Sequence, residues 1–153
     1  MSEIMEAVDV AVPVRTAYDQ WTQFESFPTF MEGVKSVRQL DDTTLEWVAD
    51  VGGHDETWKA RITEQQPDQR IAWTAIEGAG NAGVVTFHRL DEGRSRVTLQ
   101  LEVEPEGPIE KTGAALGVVQ RRVKGDMERF KDFIEARGAE TGAWRGTVDQ
   151  SAR

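Results

Sequence analysis

The sequence predicts an α+β domain in which a curved antiparallel sheet of about seven strands wraps around one long C-terminal helix. Two observations carry this reading. Segments of period-two alternation, separated by tight turns, run from near the N-terminus to about residue 104. A single stretch of 3.6-residue periodicity, Pro108 to Arg137, then follows. One helix laid across one curved sheet leaves a hollow between them, and such a hollow is where a small ligand would sit.

Ile4 to Val12 reads as the first strand, with Val8, Val10 and Val12 on one face, and Pro13 ends it. Two short helical pieces come next, Arg15 to Gln23 and Glu25 to Met31, with Pro28 breaking any continuous helix. They carry Tyr18, Trp21, Phe24, Phe27, Phe30 and Met31, the most aromatic part of the chain. Six strands follow: Val34 to Leu40, Thr44 to Val51, Glu56 to Glu64, Arg70 to Ile76, Val84 to Leu90 and Arg96 to Glu104. Gly52-Gly53 supplies the positive φ angles of a two-residue hairpin, Pro67-Asp68 a turn, and Asp91-Glu92-Gly93 a bulged hairpin. Connections this short imply an antiparallel meander.

The helix follows from spacing. At 100° per residue, Ile109, Leu116, Val119, Val123, Met127, Phe130 and Ile134 fall within roughly 60° of one line. Arg121, Lys124, Glu128, Asp132 and Glu135 lie opposite. Gly107-Pro108 opens the segment and Gly138 closes it; about 29 residues would span roughly 43 Å. Residues 1–138 thus form one domain. Ala139 to Arg153 is small, polar and aperiodic, and reads as a flexible tail whose one large apolar residue, Trp144, is able to dock.

Composition narrows the function classes. A formal net charge of −9 argues against general affinity for nucleic acid or an anionic membrane, both of which need a basic face. Without cysteine there are no disulfides and no thiolate chemistry, which fits a cytoplasmic protein. No signal peptide and no integral membrane segment are visible. No metal-ligand spacing is present, and no cofactor is expected.

Several segments carry a resemblance: Val10-Ala11-Val12-Pro13; Trp21 with the run Phe24 to Met31; Trp47-Val48-Ala49; Arg70-Ile71-Ala72-Trp73; the run Glu128 to Glu135; and Gly142-Ala143-Trp144-Arg145-Gly146. Together with the element order they resemble a bacterial single-domain member of the START-like polyketide cyclase/dehydrase and lipid-transport superfamily, often called SRPBCC. The resemblance covers Glu3 to Arg137 and implies the helix-grip fold. Members of that superfamily bind lipids, hormones, quinones or polyketides, and some catalyse ring closure or dehydration, so the fold alone does not choose an activity.

Strand parity places Trp47, Trp58, Trp73, Phe87 and Leu99 toward the helix, whose stripe offers Leu116, Val119 and Val123. These eight are the candidate ligand-binding residues; the plainer alternative is that the aromatic rings only fill the core. No catalytic residue is assigned. His54 follows a turn and His88 has outward parity, while Asp50, Glu64, Arg61, Glu102 and Glu104 also read as outward. Glu6 shares the parity of Val8 but lies toward a strand end, and Tyr18 reads as a capping aromatic. The inward surface therefore reads as almost purely apolar. The loop Gly78 to Gly83 joins two strands rather than opening a helix, so it is no phosphate cradle. Gly113 and Gly117 punctuate an uncharged helix start and mark a candidate gate. The expected function is binding or transport of a small hydrophobic ligand by a monomer or homodimer. Two alternatives stay open: an aromatase/cyclase or dehydratase-type enzyme, and an accessory protein docking through residues 113–119.

Overall fold

The structure, a computed structural model, describes residues 2–51, 53–77, 82–103 and 113–149, and over 113–118 only the course of the backbone. Eight strands and two α-helices are present among them: β1 Ser2–Val10, α1 Val14–Trp21, a 3₁₀ helix Phe24–Thr29, β2 Val34–Gln39, β3 Thr44–Val51, β4 His54–Gln66, β5 Arg70–Glu77, β6 Ala82–Asp91, β7 Arg94–Val103, α2 Gly113–Arg137 and β8 Val148–Asp149. The sheet order is β1-β7-β6-β5-β4-β3-β2, antiparallel at every pairing, as the meander predicts. β1 pairs along β7 from Ser2↔Val103 to Val10↔Ser95, so the first strand and the last of the meander lie side by side.

Local chemistry sets the turns. Val51 pairs with His54, and Gly53 takes φ +94° in the tight loop between β3 and β4, a backbone conformation that glycine adopts without penalty. Asp68 takes φ +65° in the turn between β4 and β5. A bulge between Ile62 and Glu64 shifts the register of β4, which brings Gln65 opposite Ile71 and buries it.

α1 and the 3₁₀ helix plug one end of the curved sheet. Tyr18, Trp21, Phe24, Phe27 and Phe30 are all buried there. The last four turns of α2 close over them, with Val123, Met127, Phe130 and Ile134 buried in the predicted stripe. α2 has 25 residues, about 37 Å of helix, and starts at Gly113. The predicted start at Pro108, with Ile109, lies outside the described residues. Gly138 ends the helix at φ +71° and donates its N–H to the Ile134 carbonyl at 2.9 Å.

Side-chain bonds to backbone fasten α2 along its length. Glu135 accepts the Ala11 N–H at 2.7 Å, and Lys131 donates to the Asp9 carbonyl at 3.0 Å. Asp126 accepts the Glu32 N–H at 3.0 Å, and Arg129 donates to the Phe30 carbonyl at 3.0 Å. Nearer the helix start, Arg122 reaches the Asp50 carbonyl at 3.2 Å.

The tail differs from the sequence reading. Over 139–149 it is not a free end but part of the body. Gln20 exchanges two hydrogen bonds with Thr141, at 2.8 and 3.1 Å, and Thr22 Oγ1 accepts the Trp144 N–H at 3.1 Å. Arg145 pairs with Asp19, whose side chain is 2% exposed, and with Asp68 at 2.9 Å. β8 then pairs with Glu64 and Gln65 of β4, and Trp144 packs half-buried against the core as the sequence allows. These bonds are polar and long-range, and they leave no hydrophobic period to read. Residues 150–153 lie outside the described set.

Candidate functional site

The register divides the inner face of the sheet into two halves. In the half under α1, the inward positions hold Leu45, Ile62, Ile71, Val85, Phe87 and Val97, each between 0 and 5% exposed. In the other half, the inward positions alternate between small residues (Ala49, Ala60, Ala75 and Gly83) and large rings. Those rings, Trp47, Trp58 and Trp73, are only half-buried. Ala49 and Ala60 are themselves buried, at 6% and 1% exposed, so the contrast with the packed half lies in the rings, which are partly uncovered on this side.

A row of aromatic contacts joins the halves. Phe130 meets Trp21 at 4.9 Å, Trp21 meets Phe27 at 5.5 Å, Phe27 meets Trp47 at 5.6 Å, and Trp47 stacks on Trp58 at 5.9 Å with 6° between planes. Trp47 and Trp58 are direct cross-strand partners, so the stack follows from the register. Trp73 leans across Gly83: a Cβ on Gly83 would stand 2.8 Å from the Trp73 ring and 2.7 Å from the Gln100 carbonyl. Glycine is what lets that indole approach the β6 backbone so closely.

Of the residues singled out in the sequence, Trp47, Trp58 and Trp73 share the inner face of the open half on β3, β4 and β5. Leu99 is buried on β7, two strands from β5 and opposite Val85 of the packed half, and Val119 of α2 is half-buried against the core. Val123 is 7% exposed and marks the point where α2 passes into the packed half. Phe87 stands apart from the group. It is 5% exposed and wedged against Tyr18 at 5.2 Å and Trp21 at 6.4 Å, so it belongs to the core. Leu116, Gly113 and Gly117 lie in the first turns of α2, where side chains fall outside the described set, as does that of His54. His88 is exposed and Arg61 is exposed, in keeping with their parity; Glu104 lies outside the described residues.

Two polar residues were missed. Glu6 sits in mid-strand opposite Leu99, half-buried on the inner face, and Gln120 of α2 donates to its Oε2 at 3.2 Å. Glu56 pairs with Ala49, two positions before Trp58, and is half-buried too. The parity signal was there for both: each is two residues from an inward apolar neighbour. The inward surface is therefore not purely apolar.

The ionisable groups that burial shifts lie at the packed end. Burial pushes the Tyr18 phenol up, against smaller opposing effects of Gln65 and Arg145. Burial also raises Asp19, opposed by Arg145, and raises Asp126, opposed by Arg129. An open groove of about 220 Å³ runs past Glu3, Ala82, Val84, Gln100 and Glu102, at solvent-facing strand positions, and past Trp73 and Gly83. Trp73 thus also borders a space outside the open half.

The sequence model of the family described as polyketide cyclase/dehydrase and lipid transport matches residues 10–132. The chain belongs to this family. An uncharacterized 17.2 kDa protein of Streptomyces lincolnensis is 55% identical over 149 residues, covering 97% of this chain and 99% of the relative. Among solved structures, the Zhui aromatase/cyclase of a Streptomyces species superposes with a TM-score of 0.77 at 18% identity, over 94% of this chain and 99% of its own. A START superfamily protein of Mycobacterium smegmatis gives 0.71 at 16% identity, over 88% and 95%. Identities this low establish a shared fold, the helix-grip arrangement of curled sheet and C-terminal helix, and the family's breadth is consistent with hydrophobic ligand binding or with ring-closing chemistry. Among the described residues no helix is long and apolar enough to cross a membrane.

Proposed function

We propose that the protein binds a small hydrophobic ligand between the open half of the sheet and the first half of α2. One observation carries the reading: on a single inner face, one half is packed to 0–5% exposure while the other keeps three tryptophans half-uncovered among alanines and a glycine. Evolutionarily neutral core filling would cover those rings; a surface meant to receive an apolar guest leaves them available. Gly113 and Gly117 lie in the first turns of α2, and the low helix propensity of glycine makes that part of the helix the gate in this reading. Native mass spectrometry of protein freshly purified from its own host tests the reading. A co-purifying lipid, quinone or polyketide-like molecule is expected. A ligand-free spectrum together with no binding of apolar probes at micromolar concentration would refute it.

Glu6 and Glu56 give a second reading, an aromatase/cyclase or dehydratase-type enzyme, because half-buried carboxylates on the inner face are the groups that acid–base chemistry needs. Incubation with a linear poly-β-ketone tests it: appearance of a cyclised product that Glu6→Gln and Glu56→Gln abolish supports the enzyme, and unchanged substrate speaks for binding alone.

A further inference from the structure

We infer that residues 139–149 form a detachable strap. They leave the body as one unit while the sheet, α1 and α2 stay folded, and in leaving they bare a seat on α1 and β4 that fits an extended, arginine-bearing peptide. This inference is independent of the ligand reading above.

The helix beneath the strap is written for water on the side the strap covers. α1 turns Ala17, Tyr18 and Trp21 to the core, and the rest of its surface carries Arg15, Asp19, Gln20 and, just past its end, Thr22. A surface helix leaves such a flank to solvent, yet Asp19, Gln20 and Thr22 are each 0–3% exposed. Their partners are in the strap: Thr141 exchanges two hydrogen bonds with Gln20, the Trp144 N–H donates to Thr22, and Arg145 pairs with Asp19. When the strap lifts, water takes over these bonds, so the net loss per bond is small. The strap also buries little apolar surface. Among residues 139–148 Val148 alone is buried, Trp144 is half-buried, and Ala139, Thr141, Ala143 and Thr147 are exposed. The apolar burial that makes α2 costly to displace at Met127, Phe130 and Ile134 is thus nearly absent beyond Gly138. Segments with few buried apolar contacts open locally, well below the free energy of global unfolding.

The hold converges on Arg145. Its guanidinium pairs with Asp19 on one side and Asp68 at 2.9 Å on the other, and its central carbon lies 5.6 Å from the centre of the Tyr18 ring. Gly142 lets the chain lie close on α1: a Cβ there would stand 2.6 Å from Gln23 Oε1. The seat has a second component on the sheet. The pairing of β3 with β4 stops at Thr44↔Arg61, and further along β4 it is β8 that pairs with Glu64 and Gln65. Departure of the strap therefore uncovers a stretch of strand edge. That edge, two carboxylates spaced to share one guanidinium, and the Gln20 and Thr22 oxygens that accept backbone N–H groups together match an extended peptide carrying an arginine.

Residue-resolved amide hydrogen exchange on the full-length protein tests the strap. The Thr141 and Trp144 N–H groups, bonded to Gln20 and Thr22, should be at least about 100-fold less protected than those of Ile62 and Phe87, which bond to the Thr43 and Gln69 carbonyls. In Arg145→Met the two strap amides should lose most of their remaining protection while Ile62 and Phe87 stay protected, and Arg145→Lys should fall between. Equal protection at all four amides of the unaltered protein would mean that the tail opens only when the whole domain unfolds, and would overturn the strap. That comparison needs no variant, so it decides the matter even if Arg145→Met does not fold. A fluorescein-labelled peptide of residues 139–149 tests the seat. It should bind Arg145→Met at least about threefold more tightly than the unaltered protein, whose own strap competes for the same place. Strap amides that open locally, together with no peptide binding to Arg145→Met, would overturn the seat.

Discussion

Phe130 and Trp58 stand at opposite ends of one row of aromatic contacts, and solvent treats them differently. Phe130 is 0% exposed between Trp21 and Phe30, whereas Trp58, stacked on Trp47, is only half-buried. The same type of residue thus serves two purposes on one inner surface. At the packed end rings interlock and carry stability; at the open end they form walls beside small residues and carry the site. The order of these purposes along the sheet is set by where α1 and the 3₁₀ helix fall, since they cover one end only.

Substitutions at the two ends should separate those purposes. Phe130→Ala should cost about 3–5 kcal/mol in urea unfolding, as large-to-small changes in packed cores do, whereas Trp58→Ala should cost about 1 kcal/mol yet weaken apolar-probe binding at least about tenfold. Comparable losses of stability at both positions would erase the distinction between the ends.

Arg145→Met is expected to rank next, at about 2–3 kcal/mol, because it leaves the buried Asp19 carboxylate with only the longer, largely exposed pair to Arg15 at 3.7 Å. The pH dependence has a definite sign. Burial already raises Asp19 above its ordinary value, and loss of the guanidinium raises it further. A carboxyl whose folded value lies above the unfolded one costs stability at higher pH, and the cost disappears as the pH falls through the folded value toward the unfolded one. The deficit of the variant should therefore shrink as the pH is lowered from about 7 toward about 4; a deficit that grew over that range would place the tail's contribution elsewhere.

Gly83→Ala should cost about 1–3 kcal/mol, since the new methyl would press on the Gln100 carbonyl and displace the Trp73 ring. A red or blue shift of tryptophan emission at near-constant secondary structure checks the displacement. The smallest effect is expected at Gly117→Ala, which should stabilise the helix by about 1 kcal/mol and slow release of a bound probe in stopped-flow exchange. An unchanged release rate would remove the gate from the open end.

How much of this was legible depended on the kind of interaction. Alternation placed all seven strands of the meander sheet, and it placed Trp47, Trp58 and Trp73 on one face, because burial on one side of a pleated strand imposes period two. The stripe Val123, Met127, Phe130 and Ile134 was legible for the matching reason in a helix. What decided Phe87 was not its parity, which is inward, but its height along the sheet, set by α1 packing on it. Glu6 and Glu56 obeyed parity and were passed over because each was taken for a strand end; both strands run further than the alternation suggested. The tail was illegible because polar bonds to Gln20, Thr22 and Asp19 hold it, and partners more than 120 residues away leave no local pattern.

The most direct measurement of the central claim is photolabelling with 4-hydroxybenzophenone, an uncharged aromatic probe, followed by peptide mapping. Labels confined to Trp47 and Trp58 of the open half and to residues 113–123 of α2, and competed away by 1-pyrenebutanol, an uncharged planar apolar alcohol, are the predicted result. Labels spread over the outer face at Glu3, Gln100 and Val84, or concentrated at Trp21 and Phe130, would contradict it.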